Sequence, residues 1–109
     1  MQREIEIKVQ GRVQGVRFRA GVKSFADKHN IKGFIMNRED GSAVVVAQGE
    51  EEKLNELIKN IIENPGFSKI DSLNYKWREP VKEYPDFRIV RKDGYVVDQM
   101  KSISNLGKN

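Results

Sequence analysis

Two hydrophobic periods alternate along this chain, and each predicts a different kind of element. Between residues 4 and 10 apolar and polar positions alternate, with Ile5, Ile7 and Val9 on one face and Glu4, Glu6 and Lys8 on the other. A period of two is that of a half-buried strand. In 19-RAGVKSFADKHN-30, Val22, Phe25 and Ala26, with His29 at the margin, recur at spacings of three and four. That is one face of a helix, and Asn30 is a suitable stop because asparagine tolerates left-handed backbone angles.

The segments 33-GFIMN-37 and 42-SAVVVAQG-49 read as strands, the second rich in β-branched valine. They are joined by 38-REDG-41, whose Asp-Gly pair is a hairpin signal. The clearest helix is 50-EEEKLNELIKNIIENPG-66, with an apolar stripe of Leu54, Leu57, Ile58, Ile61 and Ile62. Three glutamates fill its expected first turn, where the helix dipole favours negative charge, and Asn64-Pro65-Gly66 ends it. Residues 70–77 alternate again through Leu73, Tyr75 and Trp77, and after a turn-rich segment with Pro80 and Pro85 a short strand follows, 87-FRIV-90.

The order β-α-β-β-α-β, plus a short extra C-terminal strand, predicts an α+β fold. It is a ferredoxin-like sandwich, an antiparallel sheet with two helices on one face. Residues 1–91 are expected to form this domain. Residues 92–109 are an extension that fits either a strand from Tyr95 to Val97 with a frayed end or a linker. Tyr75, Trp77 and Phe87 are expected in the core.

Composition narrows the chemistry. The 109 residues are 38% apolar and 33% charged, which suits one small core and is too apolar for disorder. Cysteine is absent and His29 is the only histidine, so a disulfide framework, a thiolate nucleophile and a Cys/His metal site are excluded. No loop has the acidic spacing of a calcium site, and no metal is expected. MQREIEIKVQ is no secretory signal, and no apolar run is long enough to span a bilayer, so a cytoplasmic protein without membrane contact is expected. The net charge of +4 suits an anionic partner, a small phosphate compound as easily as a nucleic acid. Basic and acidic residues are intermixed, and 44-VVVAQ-48 lacks the aromatics of a base-stacking sheet, so no nucleic-acid partner is expected.

The stretch 11-GRVQGVRFR-19 runs from a strand through glycines into a helix start. Backbone N–H groups at a helix N-terminus point outward, and the dipole adds positive potential there. Gly11 and Gly15 permit the tight angles of a concave nest. Arg19, where loop meets helix, adds a guanidinium able to grip two phosphate oxygens. No Gly-Lys-Ser/Thr follows and the Gly-x-Gly-x-x-Gly spacing is missing, so neither a Walker loop nor a dinucleotide fingerprint is present. From the residues alone, an anion cradle and a basic surface connection both remain open.

The nine residues resemble the signature of the acylphosphatase family, Gly-x-Val-Gln-Gly-Val-x-Phe-Arg, with every fixed position present. The stretch 33-GFIMNREDG-41 resembles that family's second motif, with Ile35 in place of the usual valine. The resemblance covers roughly residues 3–91 and implies hydrolysis of acyl phosphates to a carboxylate and inorganic phosphate, with no cofactor. It also implies that Arg19 and Asn37 are catalytic. The phosphate would lie on the backbone of Gln14, Gly15, Val16, Arg17, Phe18 and Arg19. The partner is then a small-molecule acyl phosphate, and a monomer is expected. A non-catalytic or regulatory module binding acyl or carbamoyl phosphate within a larger enzyme is the alternative. Without the resemblance, Asn37 reads as a turn residue opening the hairpin. Arg12 and Arg17 read as electrostatic helpers or solvated side chains, and His29 as a satisfied or partly exposed helix residue.

Overall fold

Strand alternation carries further than the apolar positions that reveal it. The structure, a computed structural model, describes residues 2–13, 16–63 and 69–90. The first strand, β1, spans Gln2–Arg12. It is followed by α1 (Val16–Lys28), β2 (Lys32–Asn37), β3 (Ala43–Glu50), α2 (Glu51–Glu63), β4 (Lys69–Arg78) and β5 (Phe87–Val90). Left-handed Asn30, with φ 60°, stops the chain after α1 as expected.

The strands form one sheet in the order β4-β1-β3-β2-β5. β3 lies at its centre; β1, between β3 and the edge strand β4, is antiparallel to both, and β2 is antiparallel to β3. The fold is the expected ferredoxin-like α+β sandwich, with one correction. β5 runs parallel to β2, so the sheet is mixed rather than antiparallel throughout. β4 and β5 occupy opposite edges. The segment 79–86 must therefore cross the sheet, and the chain arrives beside β2 running the same way.

Ile5, Ile7 and Val9 of β1 meet Ile35, Val45 and Ala47 of the neighbouring strands in one core cluster. Phe18, Val22 and Ala26 of α1 and Leu54, Leu57, Ile58 and Ile61 of α2 complete it. Both helices therefore lie on one face, and each fully buried large side chain contributes about 1.5–3 kcal/mol.

Several sequence expectations shift. α1 begins at Val16, not Arg19, because Phe18, four residues before Val22, belongs to the same buried face. Glu50 ends β3, leaving Glu51 and Glu52 in the first turn of α2. Ile62 is 55% exposed, since the apolar stripe of α2 is wider than the groove over β1 and β3. Tyr75 is 52% exposed although its register partner Ile7 is fully buried. β4 is an edge strand, and α2 packs over β1 and β3 instead. Trp77 is half-buried, with the Arg3 guanidinium 4.5 Å above its ring, while Phe87 is core as expected. His29 stacks on Phe25 at 4.0 Å and places Nδ1 2.9 Å from the Phe25 carbonyl, a satisfied residue at the helix end.

Glu4, on the nominally polar face of β1, is buried. Gln48 Nε2 donates to its Oε1 at 2.7 Å, and the Arg78 guanidinium donates to its Oε2 and, at 2.9 Å, to Glu6. Gln48 also donates to the Lys82 carbonyl and accepts from the Tyr84 N–H, which ties the crossing segment to the sheet. Gly11 is part of β1, at a register shift against β4, rather than part of a nest. Its φ is +136°, and a Cβ there would lie 2.2 Å from the Lys69 carbonyl oxygen.

The segment Tyr95 to Val97 and the whole of 92–109 lie outside the described residues. No helix among the described residues is long and apolar enough to cross a membrane.

Candidate active site

Strand direction brings the two sequence motifs to the same end of the sheet. β1 and β2 are both antiparallel to β3, so they run the same way and their C-terminal ends coincide. Register makes this specific: Ala43 pairs with Val9 on one side and Asn37 on the other. Asn37 therefore lies two strand spacings from β1, roughly 9–10 Å. From β1 the chain runs through buried Val13 into α1, whose first turn stands at this end.

That first turn comprises Val16, Arg17, Phe18 and Arg19. A helix directs its first-turn N–H groups outward past its own end, and they and the dipole make the potential there positive. Phe18 anchors the turn by burying its ring in the core. Arg17 is exposed and Arg19 half-buried, while Arg12 is exposed before the loop. Gln14 and Gly15 lie outside the described residues.

The two helices treat their N-termini in opposite ways. α2 opens on Glu51 and Glu52, which offset the positive end of its dipole. α1 has no acid in its first turn and instead carries two arginines. Cations there oppose the dipole and cost stability, about 0.3–1 kcal/mol each for exposed groups. An arrangement that costs stability yet concentrates positive potential on outward N–H groups is suited to an anion.

Asn37 is the last residue of β2 and pairs with Ala43, so it precedes the turn rather than forming it. Its side chain lies on the helix-covered face with Ile35 and is 7% exposed. The amide oxygen Oδ1 is buried and finds no hydrogen-bond partner among the described residues. Such an atom costs about 1–3 kcal/mol when left unsatisfied, which is unusual for a purely structural asparagine.

Residues 38–42 close the hairpin. The Arg38 N–H donates to the Ser42 carbonyl at 2.7 Å and the Gly41 N–H to the Arg38 carbonyl at 3.1 Å. Gly41 takes φ +92°, the left-handed region that glycine tolerates. Asp40 Oδ1 accepts from Ser42 Oγ at 2.6 Å and from the Ser42 N–H at 2.9 Å. Those two bonds, with smaller help from the charges of Lys8 and Arg38, hold the Asp40 carboxyl below its ordinary value of 3.8. Its other oxygen is 3.8 Å from Lys8 Nζ. The Asp-Gly signal in the sequence located this turn but not the carboxylate that locks it. An open hollow lies alongside, lined by Met36, Asn37, Arg38, Glu39 and Asp40.

No group of three or more His, Cys, Asp or Glu side chains among the described residues is placed to hold a metal ion. A helix end, a guanidinium and an amide stand at this end of the sheet. Together with the ferredoxin-like sheet, they make a small α+β domain with a helix end suited to an anion.

The acylphosphatase family model matches residues 5–89. An acylphosphatase from Caldanaerobacter subterraneus subsp. tengcongensis is 37% identical over 89 residues, 82% of this chain and 99% of that protein. The crystal structure of acylphosphatase from Bacillus subtilis superposes with a TM-score of 0.76 at 33% identity, covering 83% of this chain and 99% of that one. Full-length HypF, in its phosphate- and nucleotide-bound form, matches with a TM-score of 0.76 at 37% identity, covering 88% of this chain but 13% of the larger one. The chain belongs to the acylphosphatase family, enzymes that hydrolyse acyl phosphates.

Proposed function

We propose that this chain hydrolyses acyl phosphates without a metal, with Arg19 and Asn37 as catalytic residues and the backbone of residues 14–19 as the phosphate site. One observation carries the reading: a buried amide oxygen without a partner among the described residues stands at the same end of the sheet as a helix N-terminus loaded with arginine.

An acyl phosphate leaves as a carboxylate, a weak base that needs little protonation by a general acid. Positioning and charge stabilisation then dominate. The helix-end N–H groups and the Arg19 guanidinium hold the phosphoryl oxygens and meet the charge that develops on them. Asn37 Oδ1 accepts a hydrogen bond from a water and holds it in line with the P–O bond to the acyl group. The water oxygen bonds to phosphorus as the acyl P–O bond breaks, and the proton passes to a phosphoryl oxygen of the substrate itself. R–CO–O–PO₃²⁻ and H₂O thus become R–COO⁻ and H₂PO₄⁻. The side chains of Arg12 and Arg17 add potential but no contact that the reaction requires, the part of Arg17 in the phosphate site being its backbone N–H. On this reading the chain works as a monomer in the cytoplasm, on a small-molecule substrate.

Release of phosphate from benzoyl phosphate in the presence of EDTA tests the proposal. The expected result is turnover unaffected by the chelator and lost in Arg19→Ala, with the thermal transition retained. Absence of turnover by the unaltered chain sinks the enzyme reading. The match to a segment of the much larger HypF then favours a phosphate-binding module, and binding of acyl or carbamoyl phosphate without hydrolysis identifies it.

A further inference from the structure

We infer that Asp40 is a positioning residue for this reaction: its carboxylate locks the 38–42 turn and thereby fixes the direction of the Asn37 amide. The inference rests on the reading of Asn37 as the residue that holds the attacking water.

A side chain whose acceptor has no partner is aimed by packing and by its backbone alone. For Asn37 the oxygen Oδ1 has no partner among the described residues, and the residue is the last of β2, directly before the turn. Its position is thus inherited from whatever holds the turn. The hydrogen bonds lead to Asp40. Asp40 Oδ1 takes both the N–H and the Oγ of Ser42. Ser42 is buried, and its carbonyl accepts from the N–H of Arg38, the residue bonded to Asn37. Three short bonds, of 2.6, 2.9 and 2.7 Å, thus connect the carboxylate to the peptide after Asn37. Lys8, from β1, braces the second carboxylate oxygen from the open face of the sheet. Asp40 itself is exposed and adds little to the core, so its contribution is geometric.

A misplacement of about 1 Å in a positioned group costs up to about a hundredfold in rate. The test compares Asp40→Ala with Asp40→Asn, whose amide oxygen can still accept both Ser42 bonds. With benzoyl phosphate, Asp40→Ala is expected to lower kcat by at least about tenfold at nearly unchanged KM, because the phosphate cradle lies on α1. Asp40→Asn is expected to restore kcat to within about threefold of the unaltered protein. Should Asp40→Ala fail to fold, Ser42→Ala, which deletes one of the bonds, is expected to give a smaller loss in kcat with the same split. A second readout needs no turnover: the Asn37 side-chain NH₂ pair in a ¹⁵N-correlated NMR spectrum. It is expected to be single and sharp in the unaltered protein and Asp40→Asn, and broadened or doubled in Asp40→Ala or Ser42→Ala. Unchanged kcat and an unchanged NH₂ pair in the folded alanine variant overturn the inference. So does a rise in KM at constant kcat, which would make Asp40 a substrate contact, or an Asp40→Asn variant as slow as Asp40→Ala. An inactive unaltered protein refutes the proposed hydrolysis but leaves the NMR comparison to decide the role of Asp40.

Discussion

Replacing Asn37 by leucine keeps the shape of the side chain and removes its polar atoms, so it separates a catalytic role from a structural one. Asn37 is 7% exposed and its Oδ1 has no partner among the described residues. An unsatisfied buried acceptor costs about 1–3 kcal/mol. A water that hydrates it recovers most of that but costs up to about 2 kcal/mol to immobilise. Leucine avoids both costs, so Asn37→Leu is expected to raise stability by about 1 kcal/mol. For a domain of this size that is roughly 4–8 °C in Tm. Turnover of benzoyl phosphate is expected to fall at least about a hundredfold, because the water loses its positioning group. Phosphate is expected still to raise Tm, since the proposed phosphate site at the start of α1 is untouched. Urea unfolding, thermal melts with and without phosphate, and phosphate-release kinetics measure all three. A variant destabilised by more than about 1 kcal/mol would show that Asn37 makes bonds the fold needs. Activity surviving in a stable variant would remove it from the mechanism.

Gly11→Ala is expected to lose at least about 2 kcal/mol in urea unfolding, from a φ of +136° and a Cβ driven to 2.2 Å from the Lys69 carbonyl. A loss below about 0.5 kcal/mol would mean β4 can move away at little cost. Arg78→Met strands the Glu4 carboxylate, whose side chain is 3% exposed. Since the Arg78 side chain is 37% exposed, the expected loss is about 1–3 kcal/mol, below that of a fully buried pair, with kcat unchanged because this cluster is at the far end of the sheet. The third concerns acid. The Asp40 carboxyl is depressed in the folded state, so its contribution to stability is full above the ordinary value of 3.8 and is lost as pH falls through its lower folded value. Stability against pH for the unaltered protein should therefore show an acid decline that Asp40→Asn flattens; identical profiles for the two would refute it.

What the sequence made legible was local. Alternation at Ile5, Ile7 and Val9 and the stripe at Leu54, Leu57, Ile58 and Ile61 located strand and helix because each pattern is complete within a few turns of chain. The start of α1 was hidden, since Arg17 and Arg19 do not look like part of an apolar face. The exposure of Tyr75 and the burial of Glu4 depend on which strand lies at an edge and what crosses the sheet. No alternation pattern encodes either. The parallel arrival of β5 is a matter of topology for the same reason. Arg19 and Asn37 are assigned catalytic roles through motif resemblance. Periodicity alone leaves Asn37 as a hairpin residue, and only its pairing with Ala43 and an oxygen without a partner among the described residues separate it from the turn. The lock at Asp40 and Ser42 was invisible beyond the Asp-Gly signal, because it lies in side-chain geometry.

The interior place of β1, with a partner strand on each side, also bears on the order in which the molecule acquires its parts. Ile5 pairs with Ala47 and with Trp77, so the strand translated first has both of its neighbours among residues translated much later. β2 likewise waits for Phe87. Pairings this distant in sequence fold slowly, because the loops must close before any contact rewards them. While the chain is on the ribosome, residues 11–19 emerge early, with no sheet to stand against. The proposed phosphate site therefore has its sheet to stand against only when nearly the whole domain has been synthesised, and an incomplete chain should have no capacity to act on its substrate.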